Sequence, residues 1–399
     1  MGRSVLLVAI VASVLFVFAG FASAQDDLAR GTVIAPPSSQ GLMGIRTPLY
    51  IYIPEGGVNP DIPAGETPAS IACIYGLVKK TKGCPKAGTL IPSGGKGAIA
   101  VVEYGSTSTM KADAATFSTQ WGLPAPNITE ICATGGTCPR NDGTGWDVET
   151  ALDVEWAHAM APNAKIYVAE FSNDPLTDGA ETQGATAVVA AGGGEVSNSW
   201  GYLGGEFSQE LQLDSYFVQN GVVFFASAGD SGATPQYPSV SPNVVSAGGT
   251  WIQRNGQGLY TKEICWAGSG GGPSAYEPIP SYQNVIKSIV GKVRGTPDIA
   301  ADASPGSGVA VYNKTSCGGW CTVGGTSVAS PMLAGITNFA GGFASSTNVE
   351  LTKIYGEYGN ATQYKKLFHD IVGGNNGYPS VKGWDYCTGV GTPKSPKGE

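Results

Sequence analysis

The sequence predicts an α/β fold in which a mainly parallel central sheet is flanked by helices. Short apolar segments alternate along the chain with longer segments of helical period, which is typical of strands joined by crossover helices. Val222 to Ser227 is apolar throughout, as expected for a strand that is covered on both faces. Polar and glycine-rich stretches follow several strands, at the edge where parallel sheets bind ligands.

The elements follow in order along the chain. Strands are predicted at residues 98–103, 165–171, 195–199 and 222–227, and helices at 146–160, 179–191, 207–220 and 328–339. Pro162 stops the first of these helices, and Gly221 ends the third. Residues 46–396 are predicted to form one domain, preceded by a short, polar and irregular leader over residues 25–45.

The N-terminus has the layout of a secretory signal peptide. Arg3 supplies a positive head, residues 5–18 are apolar apart from Ser13, and residues 22–24 (Ala-Ser-Ala) form a small-x-small cleavage site. The alternative is a retained membrane anchor, but the run is short for a bilayer, which takes about 20 apolar residues. We therefore expect residues 1–24 to be removed and the protein to be secreted, without membrane contact.

The net charge limits the classes of partner that the protein is expected to bind, and the cysteine content predicts disulfides. The formal net charge is -8 and no basic cluster interrupts it, which argues against a nucleic-acid partner. Eight cysteines in an exported chain predict disulfides. Three pairs are close in sequence, and two cysteines remain for a distant bridge. The close pairs are Cys73 with Cys84, Cys132 with Cys138 and Cys317 with Cys321, and the remaining two are Cys265 and Cys387. The connectivity stays open, because eight cysteines allow 105 pairings. We expect a monomer.

Ser327 is the first candidate for a catalytic residue. A Gly-Gly-Thr turn leads into an apolar helix and places Ser327 at its N-terminus, where free N–H groups and the helix dipole favour negative charge. That position suits a nucleophile whose product is an oxyanion, and also an ordinary capping serine. The segment Gly325 to Pro331 resembles the nucleophile signature of subtilisin-like peptidases, but their His-Gly-Thr-His-like stretch is missing.

A pair of acidic residues offers a catalytic base in place of the missing histidine. Glu149 and Asp153 are four residues apart and share one helix face. If they are buried, one carboxyl has a raised pKa and the two share a proton, which suits a general base at acidic pH. The alternative is a solvated acidic face, which the apolar neighbours Leu152 and Trp156 disfavour.

Together these segments resemble the sedolisins, serine-carboxyl peptidases with a subtilisin-like three-layer fold. The similarity includes Glu149-x-x-x-Asp153, residues 197–201 (Ser-Asn-Ser-Trp-Gly), the Gly229-Asp230 turn, residues 269–272, residues 297–302 and residues 325–327 (Gly-Thr-Ser). It implies a peptidase that acts on proteins or peptides, as an endopeptidase rather than a tripeptidyl-peptidase. It implies Ser327 as nucleophile, Glu149 as base, Asp153 as its partner and Asp230 in the oxyanion hole.

The role that the resemblance implies for Asp230 requires acidic pH. A carboxyl donates a hydrogen bond to an oxyanion only when it is protonated, so activity is expected at acidic pH. The alternative for this turn is a plain Asx-type turn.

The resemblance also implies supporting residues. Glu103 and Trp200 match positions that extend the hydrogen-bond chain of the catalytic carboxyls in some relatives, although a strand-end acid also suits solvent. Extended walls for the substrate backbone are expected at Ser197, Ser199, Gly201, Ser269, Gly270 and Gly271. Their glycines suit ordinary loops as well.

A calcium ion is expected in the loops of residues 369–386. The resemblance implies one structural Ca²⁺ held by the carboxylates of Asp370 and Asp385 and the carbonyls of Ile371, Val381 and Gly383. Hard cations require such oxygen ligands. Without the resemblance, an acidic turn is the alternative.

Two rival functions remain open. The first is a catalytically silent family member that binds peptides. The second is a histidine-dependent hydrolase that uses His158, which lies nine residues after Glu149 and so on the opposite side of the helix.

Overall fold

The structure is a computed structural model that describes residues 31–41, 44–55, 57 and 59–397. The predicted signal peptide at residues 1–24 and the first part of the leader, 25–30, lie outside the described residues. Within the described part, none of the helices combines the length and apolar character needed to cross a bilayer.

Eighteen strands and nine α-helices are formed by the described residues. The strands are β1 (Gly31–Ile34), β2 (Ile45–Arg46), β3 (Tyr50–Pro54), β4 (Ala98–Glu103), β5 (Asn127–Cys132), β6 (Lys165–Glu170), β7 (Gly194–Asn198), β8 (Gly201–Tyr202), β9 (Val222–Ser227), β10 (Val245–Arg254), β11 (Tyr260–Cys265), β12 (Gly272–Pro278), β13 (Val293–Thr296), β14 (Ile299–Asp302), β15 (Val309–Asn313), β16 (Gly319–Gly324), β17 (Phe368–His369) and β18 (Thr392–Pro393). The helices are α1 (Pro37–Gln40), α2 (Pro68–Ile74), α3 (Met110–Trp121), α4 (Trp146–Met160), α5 (Ala180–Ala190), α6 (Lys287–Val290), α7 (Thr326–Phe339), α8 (Thr347–Gly359) and α9 (Ala361–Leu367).

The central sheet has the order β11-β10-β9-β7-β4-β6-β5, with β14 also paired to β10. Every pair is parallel except β10 with β11. The predicted mainly parallel sheet is therefore confirmed.

The two faces of the sheet are buried against different helices because successive side chains of a strand point to opposite faces. In β4, Ile99 and Val101 join a core with the helices α4 and α7. Ala98, Ala100 and Val102 join a second core on the side of α5. This gives three layers, with α4 and α7 packed against each other on one side.

The predicted elements agree with the structure except at one helix. The predicted bounds at 98–103, 146–160 and 222–227 are those observed, and four others differ by at most two residues at an end. The predicted helix at 207–220 is wrong: the segment forms two short 3-10 helices, Glu210–Gln212 and Asp214–Phe217. Leu211 and Val218 are exposed there, so the segment has no continuous apolar face to pack a longer helix.

The leader is more regular than predicted. It contains β1 and α1, and its last residue, Ile45, begins β2. The strand β1 pairs with β3, and β3 pairs with β16, which ends directly before α7. The N-terminal segment is therefore joined to the sheet that leads to Ser327.

All eight cysteines are paired, and the pairs are those singled out in the sequence: Cys73–Cys84, Cys132–Cys138, Cys317–Cys321 and Cys265–Cys387. The last disulfide joins β11 to the C-terminal loops across 122 residues.

Candidate active site

Ser327 lies in the first turn of α7, directly after the turn that ends β16. Gly325 caps the helix with φ 111°, a conformation that favours glycine. A Cβ at Gly325 would also lie 2.1 Å from the carbonyl oxygen of Pro48 and 2.7 Å from Oδ2 of Asp230. The glycine therefore lets two oxygens approach the start of the helix, beside the candidate nucleophile.

The helix α4 carries the candidate base. All of its residues are buried, and Glu149 and Asp153 are both 0% exposed. This burial excludes a solvated acidic face. Because α4 packs against α7, Glu149 lies beside Ser327, near enough for the serine hydroxyl to affect its pKa.

Three carboxyls form a buried group at this place. The hydroxyl of Ser199 donates to Oδ1 of Asp153 at 2.9 Å, and that of Thr150 donates to Oε2 of Glu103 at 3.3 Å. Glu103 ends β4, and its carboxyl lies next to that of Asp153. The structure thus brings together Glu103, Glu149 and Asp153.

Burial raises the pKa of each of these carboxyls well above its usual value. The charge of Asp153 further raises the pKa of Glu149 and of Glu103. Within the described residues, no Lys, Arg or His lies within 4.0 Å of the three. Buried carboxyls without a cationic partner hold protons in common, as closely spaced acids do.

The contact between nucleophile and base is loose. The hydroxyls of Ser327 and Thr47 lower the pKa of Glu149, which shows that both are close to it. Yet Oγ of Ser327 and both Glu149 oxygens make no hydrogen bond within 3.5 Å to any described residue. Catalytic hydrogen bonds of this kind often tighten only when substrate binds.

The Gly229-Asp230 turn places the carboxyl of Asp230 opposite the start of α7. Its Oδ1 accepts from the backbone N–H and the hydroxyl of Thr326, both at 2.8 Å. Its Oδ2 is buried and has no partner among the described residues. Burial raises the pKa of Asp230 to about 7, although the two bonds from Thr326 and the charge of Arg46 oppose the rise. A free carboxyl oxygen, protonated below that pH, suits an oxyanion donor.

Trp200 does not reach the catalytic carboxyls through its polar atom. Its indole N–H donates to Oδ1 of Asn198 at 2.7 Å, and the amide of Asn198 donates to Glu181 at 3.2 Å. The structure therefore places Trp200 in a separate buried pair on the other side of β7.

Neither histidine makes a hydrogen bond with Ser327. The ring of His158 contacts the carbonyl oxygen of Pro124 at 2.9 Å, and that of His369 contacts the carbonyl of Ile74 at 3.4 Å. His158 thus faces away from Glu149, as its position on α4 predicts.

The predicted substrate walls lie around the site, but their serine side chains have internal roles. Ser197 contacts Ser330 at 2.9 Å, and Ser269 donates to the carbonyl of Cys387 at 3.0 Å. Gly270 comes so close to the turn before Asp230 that a Cβ would lie 1.9 Å from the carbonyl of Ala228. The neighbouring Gly271 contacts the C-terminal loops in the same way, at Tyr386.

The chain's own N-terminal segment reaches the site, a contact that no sequence pattern predicts. Gly201 pairs with Arg46, and Tyr202 with Ile45, as the antiparallel strands β8 and β2. The backbone N–H of Ser327 donates to the carbonyl of Pro48 at 3.0 Å. Thr326, which holds Asp230, was likewise missed, because only the fold places it opposite that carboxyl.

The residues predicted to hold calcium lie together in the C-terminal loops. The Tyr364 hydroxyl donates to Asp370 at 3.0 Å and the N–H of Val381 to Asp385 at 2.9 Å, while the carbonyl of Ile371 accepts from Ser380. Neither aspartate has a cationic side chain within 4.0 Å among the described residues. Burial raises the pKa of Tyr364, and both carboxylates lie near enough to it for their charges to raise that pKa further. Two carboxylates without a cationic partner, in loops that also offer carbonyl oxygens, are the type of oxygen ligand that Ca²⁺ takes.

A second group of potential ligands does not fit a metal. Glu130, Cys138 and Glu170 lie close together, but Cys138 is in a disulfide. Arg140 lies 2.8 Å from Glu130 and 3.6 Å from Glu170 and already supplies a positive charge.

Comparison with known proteins identifies this arrangement. A family model described as the subtilase family matches residues 141–341, from just before α4 to just after α7. The chain belongs to the subtilase family. Kumamolisin from a Bacillus species is 31% identical to this subtilase over an alignment of 370 residues, and the match covers 83% of the chain and 62% of kumamolisin. Tripeptidyl-peptidase 1 from Dictyostelium discoideum is 26% identical, over 73% of the chain and 51% of that protein.

A solved structure of Pseudomonas sedolisin, a serine-carboxyl proteinase in complex with two molecules of pseudo-iodotyrostatin, superposes with a TM-score of 0.66. The two are 25% identical, and the match covers 84% of this subtilase and 97% of the sedolisin chain. The predicted similarity to sedolisins and the subtilisin-like fold are confirmed. The chain spans less than two thirds of the length of the curated relatives named here.

Proposed function

We propose that this chain is a secreted serine-carboxyl peptidase that hydrolyses peptide bonds of proteins or peptides at acidic pH. One observation carries the proposal: the Glu149 carboxyl, rather than a histidine, is the titratable group beside the hydroxyl of Ser327. Burial of the group and the family membership of the chain support it.

The residues divide the chemistry between them. The Ser327 hydroxyl attacks the peptide carbonyl while its proton passes to Glu149, and the leaving amine then takes that proton. Water then attacks the acyl group and passes a proton to Glu149. The oxygen of Ser327 takes that proton as the acyl group leaves. Asp153, held by Ser199, keeps Glu149 oriented, and Glu103 behind it shares the protons of the group.

The oxyanion is stabilised by the N–H of Ser327 and by neutral Asp230. Because the pKa of Asp230 is raised to about 7, the neutral form dominates below that pH and disappears as pH rises through it. A negative Asp230 would repel the oxyanion. Activity is therefore limited on the alkaline side by this carboxyl and on the acid side by protonation of Glu149.

Other buried acids also favour acidic conditions. Burial raises the pKa values of Glu181, Glu210 and Glu277 to about 8. A carboxyl whose pKa is raised on folding stabilises the fold at low pH, and this contribution is lost as pH rises towards the folded-state value.

Endopeptidase action is favoured by the path of the chain in the site. Residues 45–50 run through it without a break, from β2 past Ser327 into β3. A groove that accepts a chain extending on both sides suits cleavage inside a polypeptide rather than removal of tripeptides.

The test is the cleavage of a peptide library between pH 3 and pH 8, read by mass spectrometry. We expect a maximum below pH 7 and a decline through about pH 7 as Asp230 ionises. Asp230→Asn keeps an N–H donor at every pH, so its decline should move to higher pH. Asp178→Asn, at a carboxylate that caps a separate loop, should leave the profile unchanged. A maximum at or above pH 8 contradicts the mechanism.

We further propose that Asp370 and Asp385, with the carbonyls of Ile371, Val381 and Gly383, hold one Ca²⁺. A ligand at 100 times its Kd stabilises the folded state by about 2.7 kcal/mol. Chelation should therefore lower Tm by several degrees in the unaltered chain and in Asp178→Asn, but not in Asp385→Asn. An equal Tm with and without chelator in the unaltered chain contradicts the calcium site.

A further inference from the structure

Asn376 joins three parts of the candidate site that are far apart in sequence. Its amide nitrogen donates to the carbonyl of Ser269 at 2.8 Å and to that of Tyr386 at 3.2 Å. Its backbone carbonyl accepts from the N–H of Ala233 at 2.7 Å. The residue therefore connects the C-terminal loops with the start of a predicted substrate wall and with the loop that follows Asp230.

Every polar atom of the Asn376 amide has a partner. An asparagine side chain has two N–H donors and one carbonyl acceptor. The two donors reach the two carbonyls, and Oδ1 accepts from the N–H of Tyr378 at 3.0 Å. Asn376 is only 6% exposed, so these bonds are made away from water. An aspartate of the same size would set a carboxylate against the two carbonyls, so this position requires an amide.

Close backbone packing supports the same connection. Gly377 has φ 120°, and a Cβ there would lie 2.4 Å from the Cβ of Ala233. A Cβ at Gly232 would lie 2.6 Å from the carbonyl oxygen of Asn376. The two glycines thus allow the C-terminal loop to pack directly on the loop after Asp230.

Ser269, the first residue of the wall, is fixed through each of its polar groups. Its hydroxyl donates to the carbonyl of Cys387 at 3.0 Å and accepts from the N–H of Gly249 at 2.8 Å. Its N–H donates to the carbonyl of Trp266 at 3.0 Å, and its carbonyl accepts from Asn376. Ser269 is therefore an anchor, and the two glycines that follow it are left to pair with a peptide backbone.

We propose that Asn376 is a positioning residue for substrate binding, which holds the carbonyl of Ser269 and so keeps residues 270 and 271 in place for the substrate backbone. The proposal rests on the proposed function, because it concerns the groove of the same site. In this arrangement the C-terminal loops support substrate binding and take no part in the chemistry. Loss of the amide weakens binding of substrate and transition state alike, which raises KM and leaves kcat nearly unchanged.

Amide hydrogen exchange followed by mass spectrometry tests the contact without any need for activity. The reporters are the N–H groups of Gly270 and Gly232, which bond the wall and the loop after Asp230 to each other. In Asn376→Ala, peptides that cover residues 266–272 and 229–235 should exchange about tenfold faster, the equivalent of one hydrogen bond.

Two further variants complete the comparison. Asn376→Asp keeps the size of the side chain and the acceptor for the Tyr378 N–H, so it should fold and show the same faster exchange at about pH 6, where its carboxyl is ionised. Asn375→Ala is the matched control in the same loop. The exposed side chain of Asn375 accepts from the N–H of Gly377 at 2.6 Å, and its loss should leave both peptides unchanged. Cooperative thermal unfolding confirms that each variant is folded.

Substrate binding is the second readout, with the isolated insulin B chain as an extended peptide probe. Both Asn376 variants should raise KM about tenfold and change kcat by less than about twofold, whereas Asn375→Ala should change neither. In chains that also carry Ser327→Ala, the Kd of the same peptide, measured by calorimetry, should rise by the same factor. Mere damage to the fold would instead lower kcat, because less protein is folded, and leave KM unchanged.

The two readouts separate the possible failures. Faster exchange in both Asn376 variants, with a higher KM or Kd, supports the proposal. Exchange equal to that of Asn375→Ala overturns it, and so does an unchanged KM and Kd. Faster exchange and a higher Kd, without cleavage by any chain that keeps Ser327, leave Asn376 in its positioning role and refute the peptidase instead. Absence of peptide binding by the chain with Asn376 intact overturns both.

Discussion

Ser327→Ala is expected to lower kcat for peptide cleavage by about 10⁴- to 10⁶-fold, the size of effect seen when a serine nucleophile is removed. Without the hydroxyl no acyl-enzyme forms, while the Ser327 N–H and Asp230 still bind the carbonyl. KM should therefore change little. The measurement is steady-state hydrolysis of a short peptide below pH 7 by the unaltered chain and by the variant.

Ser330→Ala is the matched control. Ser330 lies in the same helix, is fully buried, and its hydroxyl contacts that of Ser197 rather than the carboxyl group. Its loss should leave kcat within a few-fold of the unaltered value. Unchanged cleavage by Ser327→Ala would refute the nucleophile, and no cleavage by the unaltered chain would favour a silent peptide-binding protein.

Glu149→Gln is expected to lower kcat by about 10²- to 10⁴-fold, the usual contribution of a general base. Glutamine has nearly the same shape but does not accept the serine proton. The acid limb of the pH–rate profile should also disappear from the residual activity, because that limb reports the ionisation of Glu149. The measurement is kcat and kcat/KM from pH 3 to pH 8 for the unaltered chain and the variant.

Two variants on the same helix are its controls. Glu155 is as buried as Glu149, and burial likewise raises its pKa, but its carboxyl accepts from the N–H of Tyr312. Glu155→Gln and His158→Ala should both retain the acid limb and most of kcat. Loss of activity in His158→Ala, with Glu149→Gln active, would favour a histidine-dependent hydrolase.

Most of the framework of the site was predictable because it depends on short-range patterns. The Gly-Gly-Thr turn and the apolar run after it place Ser327 at a helix start, and the four-residue spacing places Glu149 and Asp153 on one face. Alternation of apolar strands with helices predicts the sheet whose order brings β4, β7 and β9 together.

The rest depends on contacts between distant segments, which no local pattern reports. Thr326 and Asp230 are 96 residues apart when they meet. The partner of Trp200, two residues away, was missed because the direction of its indole depends on the surrounding core. The placement of Pro48 required the pairing of β2 with β8, two strands of only two residues each.

The pairing of β1 with β3 ties the first described residues to the sheet that leads to Ser327. Gly31 to Ile34 pair with Ile51 to Pro54, and β3 pairs in turn with β16. Because β1 is the outer strand of this sheet, its removal would leave β3 with unpaired backbone groups along one edge. An exposed strand edge is a place where other chains add and aggregation starts.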